Sequence, residues 1–89
     1  MASNPEKRRL GASPVEVVRL GVGCWAWGDQ EYWRYGQEHG PQDVIAAFEA
    51  CLDAGLDFFD TAEAYAWGKG EQILGSLLRK SGRDLVVAT

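Results

Sequence analysis

Hydrophobic positions recur with two different periods along this chain. Over residues 41–54, Val44, Ala47, Phe48, Cys51 and Leu52 fall at i, i+3, i+4, i+7 and i+8, a single apolar stripe that predicts a helix. Gly40 suits its N-cap, Pro41 its first turn, and Asp43 complements the helix dipole there. Gly55 is a natural stop in the left-handed conformation. A second stripe, Ile73, Leu74, Leu77 and Leu78, predicts a helix that Glu71 opens after Gly68-Lys69-Gly70 and that Gly82 ends. The remaining apolar runs are short and β-prone. Residues 8–10 and 15–18 flank the turn-rich Gly11-Ala12-Ser13-Pro14 and predict a hairpin. Residues 19–24, 56–60 and 84–89 read as three further strands. Gly21 and Gly23 allow backbone or ligand to approach the first of them closely.

The resulting order is hairpin, β, α, β, α, β. Strands alternating with helices imply right-handed crossovers and a parallel sheet. Residues 25–40 break the pattern. Trp25, Trp27, Tyr32, Trp33 and Tyr35, half of the chain's ten aromatics, are interleaved there with Gly28, Gly36 and Gly40 without a lasting period. This is a long loop, and aromatic density of this kind argues against disorder. A parallel sheet needs helices on both faces or closure into a barrel. Three strands and two helices supply neither, so the expectation is a piece of a larger α/β fold. A barrel of eight βα units needs roughly 250 residues.

Composition narrows the function. The chain has 89 residues, 46% hydrophobic and 25% charged, ordinary for a globular segment. Its net charge of −4 argues against a nucleic-acid partner, which calls for a basic stripe. No apolar run approaches the ~20 residues that span a bilayer, so no membrane role is expected. The basic residues among positions 1–9 precede no apolar region, unlike a secretory signal. Cys24 and Cys51 are therefore read as reduced thiols in a cytoplasmic protein, or a plastid one if a targeting segment is missing. No metal-ligand spacing is seen.

The densest chemistry is Phe58-Phe59-Asp60-Thr61-Ala62-Glu63-Ala64-Tyr65. A buried strand delivers Asp60 at its C-terminal end, where ligands gather in parallel α/β folds, and Tyr65 lies on the loop that follows. A carboxylate and a phenol together suit proton transfer. A phenol of ordinary pKa, about 10, needs a nearby cation to act as an acid at neutral pH. The pair thus predicts a lysine as third partner. Read structurally instead, Asp60 caps a turn and Tyr65 satisfies a backbone carbonyl.

Five blocks in order, Arg8-Arg9-Leu10-Gly11, Arg19-Leu20-Gly21-Val22-Gly23-Cys24-Trp25, Ala54-Gly55-Leu56-Asp57-Phe58-Phe59-Asp60-Thr61-Ala62-Glu63-Ala64-Tyr65, Glu71-Gln72-Ile73-Leu74-Gly75 and Val86-Val87-Ala88-Thr89, resemble the aldo-keto reductases. The loop Trp25-Ala26-Trp27-Gly28-Asp29 is similar to the plant and cyanobacterial members. The resemblance implies an incomplete (β/α)8 TIM barrel with the hairpin plugging its bottom, and residues 1–89 forming the N-terminal part of one barrel domain. It implies reduction of aldehydes and ketones by NADPH, with a small carbonyl substrate. Asp60 matches the catalytic aspartate and Tyr65 the proton donor. The matching lysine would stand immediately after Thr89 and the histidine after a further strand. Gly23, Cys24, Trp25 and Asp60 are implied in cofactor binding, and Trp25, Trp27 and Tyr65 in the substrate pocket. Cys24 stands where a threonine or small residue is common, and Ala66 where glycine is usual.

Two other functions compete. One is a truncated, non-catalytic remnant that binds a partner through its open sheet edge. The other is a glycosidase-like barrel using Asp60 and Glu63 as paired acids, which would need them ~5–9.5 Å apart across a cleft. Lys69 between Gly68 and Gly70 suggests a phosphate nest, but not at P-loop spacing. Cys51 is read as packing on its helix stripe, Cys24 as a thiol near the site with nothing in the sequence to show a lowered pKa, and His39 as a surface loop residue.

Overall fold

The computed structural model describes residues 6–89. The reading of positions 1–9 as no export signal therefore falls, for residues 1–5, outside the described residues. Strands β1 (Lys7–Arg9) and β2 (Glu16–Val18) pair antiparallel, Arg8 opposite Val17, as the turn residues between them predict. Three strands follow in parallel, β3 (Val22–Gly23), β4 (Phe58–Asp60) and β5 (Val86–Ala88), with β4 in the middle. Helix α1 (Pro41–Asp53) connects β3 to β4, and α2 (Lys69–Ser81) connects β4 to β5. The mixed α/β arrangement is that of a partial (β/α)8 barrel.

The period of two decides what the sheet buries. Val22, Phe59 and Val87 lie side by side in register and pack into the core with Val44 and Phe48 of α1 and Leu74 and Leu77 of α2. Gly23, Asp60 and Ala88 form the next row, at the C-terminal ends of the strands. Phe59 is fully buried and tilts against Phe48 at 5.3 Å between ring centres. The hairpin is tied to the opposite end of the sheet. Lys7 Nζ lies 3.1 Å from Asp57 Oδ2, just before β4, while Val17 and Val18 are buried.

The helix ends follow their local signals. The Gly40 N–H donates to the Asp43 carboxylate at 2.8 Å, closing the N-terminus of α1. Gly55, at φ 81, ends it, with the Gly55 and Leu56 N–H groups donating to the carbonyls of Leu52 and Cys51. Gly82, at φ 65, ends α2.

Several expectations need correction. The first parallel strand is two residues long, not six, because Arg19 and Leu20 bend away before the pairing begins. Ala47 is exposed although it shares the helical period, and Ile45 packs at the core edge instead. Helix α2 opens at Lys69, two residues before Glu71, so Gly70 belongs to its first turn. A tight turn over Tyr65–Gly68, with Ala66 and Trp67 outside helical dihedrals, precedes α2 in place of a plain loop.

Candidate active site

Asp60 is the last residue of β4 and its side chain is exposed at the C-terminal edge of the sheet. Among the described residues its carboxylate makes no hydrogen bond or ion pair. Its backbone is committed: the Asp60 carbonyl accepts the Cys24 N–H at 2.9 Å, joining the ends of β3 and β4. One residue on, the Thr61 N–H donates to the Ala88 carbonyl at 2.8 Å and ties β4 to β5. The buried Thr61 hydroxyl has no partner among the described residues.

From Thr61 the chain turns back over the rim. The Tyr65 N–H donates to Ala62 and the Trp67 N–H to Ala64, at 3.1 and 3.2 Å. Ala66, Trp67 and Gly68 then take φ of 53, 58 and 91°, three left-handed residues in a row that reverse the chain into α2. Only the last is glycine, so the turn carries strain at Ala66 and Trp67, roughly 1–2 kcal/mol each. This explains why glycine suits the position that Ala66 occupies. The α2 helix accepts the turn closely, since a Cβ at Gly70 would stand 3.2 Å from both Cβ and O of Tyr65.

Trp25 brings the loop to the same rim. Its indole is 44% exposed and stacks on Tyr65, ring centres 6.1 Å apart and planes 23° apart. Tyr32 stacks on Trp25 at 5.0 Å, and Trp33 meets it edge-on at 5.6 Å. Thus the structure gathers Asp60, Tyr65 and Trp25 at the C-terminal edge, with Gly23 beside Asp60 in register. Gly23 is exposed, and a Cβ there would meet nothing within 4 Å.

Two residues assigned by resemblance are placed elsewhere. Trp27 is only 7% exposed and stands between Phe48 and Phe59, at 6.4 and 6.1 Å. It is a core residue, not a pocket wall, because neighbours distant in sequence close over it. Cys24 is fully buried, its thiol donating to the Val22 carbonyl at 3.5 Å and its carbonyl accepting the Trp27 N–H at 3.0 Å. Its side chain thus faces the core, and its N–H is held by the Asp60 carbonyl. Burial, reinforced by the Asp60 charge, pushes its thiol from 9.0 up to about 12.

His39 is half-buried rather than a free surface residue. Its Nε2 lies 2.9 Å from the Ala26 carbonyl, a contact that requires the proton on Nε2, and its ring meets Tyr35 edge-on. Glu63 is exposed, and Lys69 is the first residue of α2 rather than part of a phosphate loop. The residues missed by sequence reasoning are Asp29, whose carboxylate accepts the N–H groups of Tyr32 and Trp33, and Thr61. An aspartate three residues ahead of an aromatic pair is a turn signal that could have marked the first.

The family model described as the aldo/keto reductase family matches residues 19–89. The chain is 35% identical, over 94% of its length, to a chloroplastic pyridoxal reductase of Arabidopsis thaliana. It is 36% identical, over 92%, to a probable voltage-gated potassium channel subunit beta of Oryza sativa subsp. japonica. It is 38% identical, over 83%, to an uncharacterized oxidoreductase of Mycobacterium bovis. It spans about a quarter of the length of these relatives, 25, 24 and 23% respectively. The match, the parallel β/α order and the Asp60–Tyr65 rim agree, and the chain belongs to the aldo/keto reductase family.

Proposed function

We propose that this segment contributes the proton donor and one wall of the active site to an NADPH-dependent reductase of small aldehydes or ketones. The observation that carries the reading is the shared rim. Asp60 ends a parallel strand at the edge where ligands gather, and Tyr65 follows it against the exposed Trp25. The donor set suits the reacting end of a nicotinamide cofactor. The Asp60 carboxylate is exposed and, among the described residues, unengaged, and the space above Gly23 is open, so a flat ring can approach both.

NADPH, when bound, supplies the hydride that the carbonyl carbon receives. Tyr65 donates its phenolic proton to the carbonyl oxygen, giving the alcohol, and is reprotonated from solvent. Asp60 supports the charge of a cation beside the phenol. Trp25 lies against the Tyr65 ring and orients it. The expected setting is a reducing, cytosol-like compartment, with no nucleic acid or membrane as partner.

The test is replacement. The matched segment of the Arabidopsis pyridoxal reductase is exchanged for this chain, and reduction of pyridoxal is followed with NADPH and with NADH. Turnover is expected, with Tyr65→Phe lowering kcat/KM by roughly 10²–10⁴-fold, the usual worth of general acid catalysis. The 89 residues alone are expected to show no turnover. A chimera indifferent to Tyr65→Phe refutes the proton-donor role. A second reading, binding without catalysis, draws on β3 and β5 each being paired on one side only. A folded chimera with no turnover would favour it.

A further inference from the structure

The inward half of the 25–40 loop is held by the core. Trp27 is buried there, His39 holds the Ala26 carbonyl, and Gly28, at φ 105, lies so close to α2 that a Cβ would stand 2.8 Å from Ile73 Cδ1. In the outward half, Arg34 meets Gln37 and Glu38, while the turn that carries Tyr32 and Trp33 is closed by the side chain of Asp29. Asp29 Oδ2 accepts the N–H groups of Tyr32 and Trp33, both at 2.8 Å, and the Asp29 carbonyl accepts the Tyr35 N–H at 2.8 Å. These bonds fold the chain back so that Tyr32 lies on Trp25, planes 11° apart, while Trp33 meets both rings edge-on. Trp25 in turn lies against Tyr65. Contact therefore runs unbroken from the Asp29 carboxylate to the phenol. Contacts between exposed rings are individually weak against the entropy of a loop, so a hydrogen-bonded tie of this kind counts.

We propose that Asp29 is a positioning residue for the proton-donor site: by tying Tyr32 and Trp33 into a turn it sets the Trp25 indole against Tyr65 and so fixes how the phenol is presented. The role rests on Tyr65 being the proton donor; the ring geometry does not. The tie is made by hydrogen-bond acceptance, so asparagine, whose amide oxygen accepts the same two N–H groups, replaces it and alanine does not.

The test is NMR of the whole 89-residue chain with ring-labelled tyrosine, the Tyr65 signals being assigned by their loss in Tyr65→Phe. The ring current of Trp25 displaces those signals. Asp29→Ala is expected to abolish the displacement and Asp29→Asn to keep it, while methyl signals of Val18 and Leu74 stay unmoved in both. The proposal is overturned by displacement that survives Asp29→Ala, by its loss in Asp29→Asn, or by its absence from the unaltered chain. Collapse of the core methyl signals in Asp29→Ala also overturns it, since Asp29 would then hold the fold and not the ring. The readout needs neither cofactor nor turnover. Displacement that depends on Asp29 in a segment indifferent to Tyr65→Phe would leave the geometry standing and remove the catalytic role.

Discussion

Trp27→Ala is expected to cost this chain far more stability than Trp25→Ala, although the two indoles are two residues apart. Trp27 is 7% exposed and Trp25 44%. A tryptophan offers about 250 Å² to bury, so Trp27 hides about 230 Å² and Trp25 about 140 Å². At about 25 cal/mol per Å² those areas correspond to about 6 and about 3.5 kcal/mol, both upper bounds. Core truncations of this kind cost about 3–5 kcal/mol, and Trp27, between Phe48 and Phe59, belongs to that class. The cavity around Trp25 is bordered by exposed rings that can close over it, so its loss is expected at about 1–2 kcal/mol. A chain of this size has a net stability of roughly 4–13 kcal/mol, so Trp27→Ala removes a large share. Urea unfolding followed by far-UV circular dichroism measures both, with an unchanged slope confirming that the same surface unfolds. Losses equal to within about 0.5 kcal/mol, or a larger loss at Trp25, would refute the assignment of Trp27 to the core and Trp25 to the rim.

Two further predictions concern the site's surroundings. Ala66 holds a φ of 53°, so Ala66→Val is expected to lose at least about 1 kcal/mol, while Ala66→Gly is level or gains up to about 1 kcal/mol. Thermal unfolding resolves the ranking, since 1 kcal/mol moves Tm by roughly 4–8 °C in a domain this small, and valine as the most stable variant would contradict it. The Cys24 thiol keeps its proton when folded at pH values where the unfolded chain releases it. Its contribution is whole below pH 9.0 and drains as the pH rises from there to about 12. Urea midpoints should fall across that window and flatten in Cys24→Ala; a midpoint that rises instead would be incompatible with a buried thiol.

Much of the fold was legible because its signals are local. The Gly40-Pro41-Asp43 start of α1 needs only neighbouring atoms, as do the left-handed stops at Gly55 and Gly82. The hairpin and the alternation of strands and helices were legible for the same reason, and so was the emergence of Asp60 at the end of a parallel strand. Less legible was where regular structure stops. The register of β3 with β4 admits only Val22 and Gly23, and nothing in residues 19–24 announces that Arg19 and Leu20 turn aside.

Amino-acid order alone was enough for the family, the β/α order and the place of Asp60 at a strand end with Tyr65 on the loop after it, because each rests on spacing along the chain. Tertiary structure alone separated Trp25 from Trp27, buried the Cys24 thiol and set the Asp29 carboxylate on the N–H groups of Tyr32 and Trp33. An aperiodic loop has no inside or outside until Phe48 and Phe59, brought from α1 and β4, close over one of its two indoles and leave the other facing Tyr65.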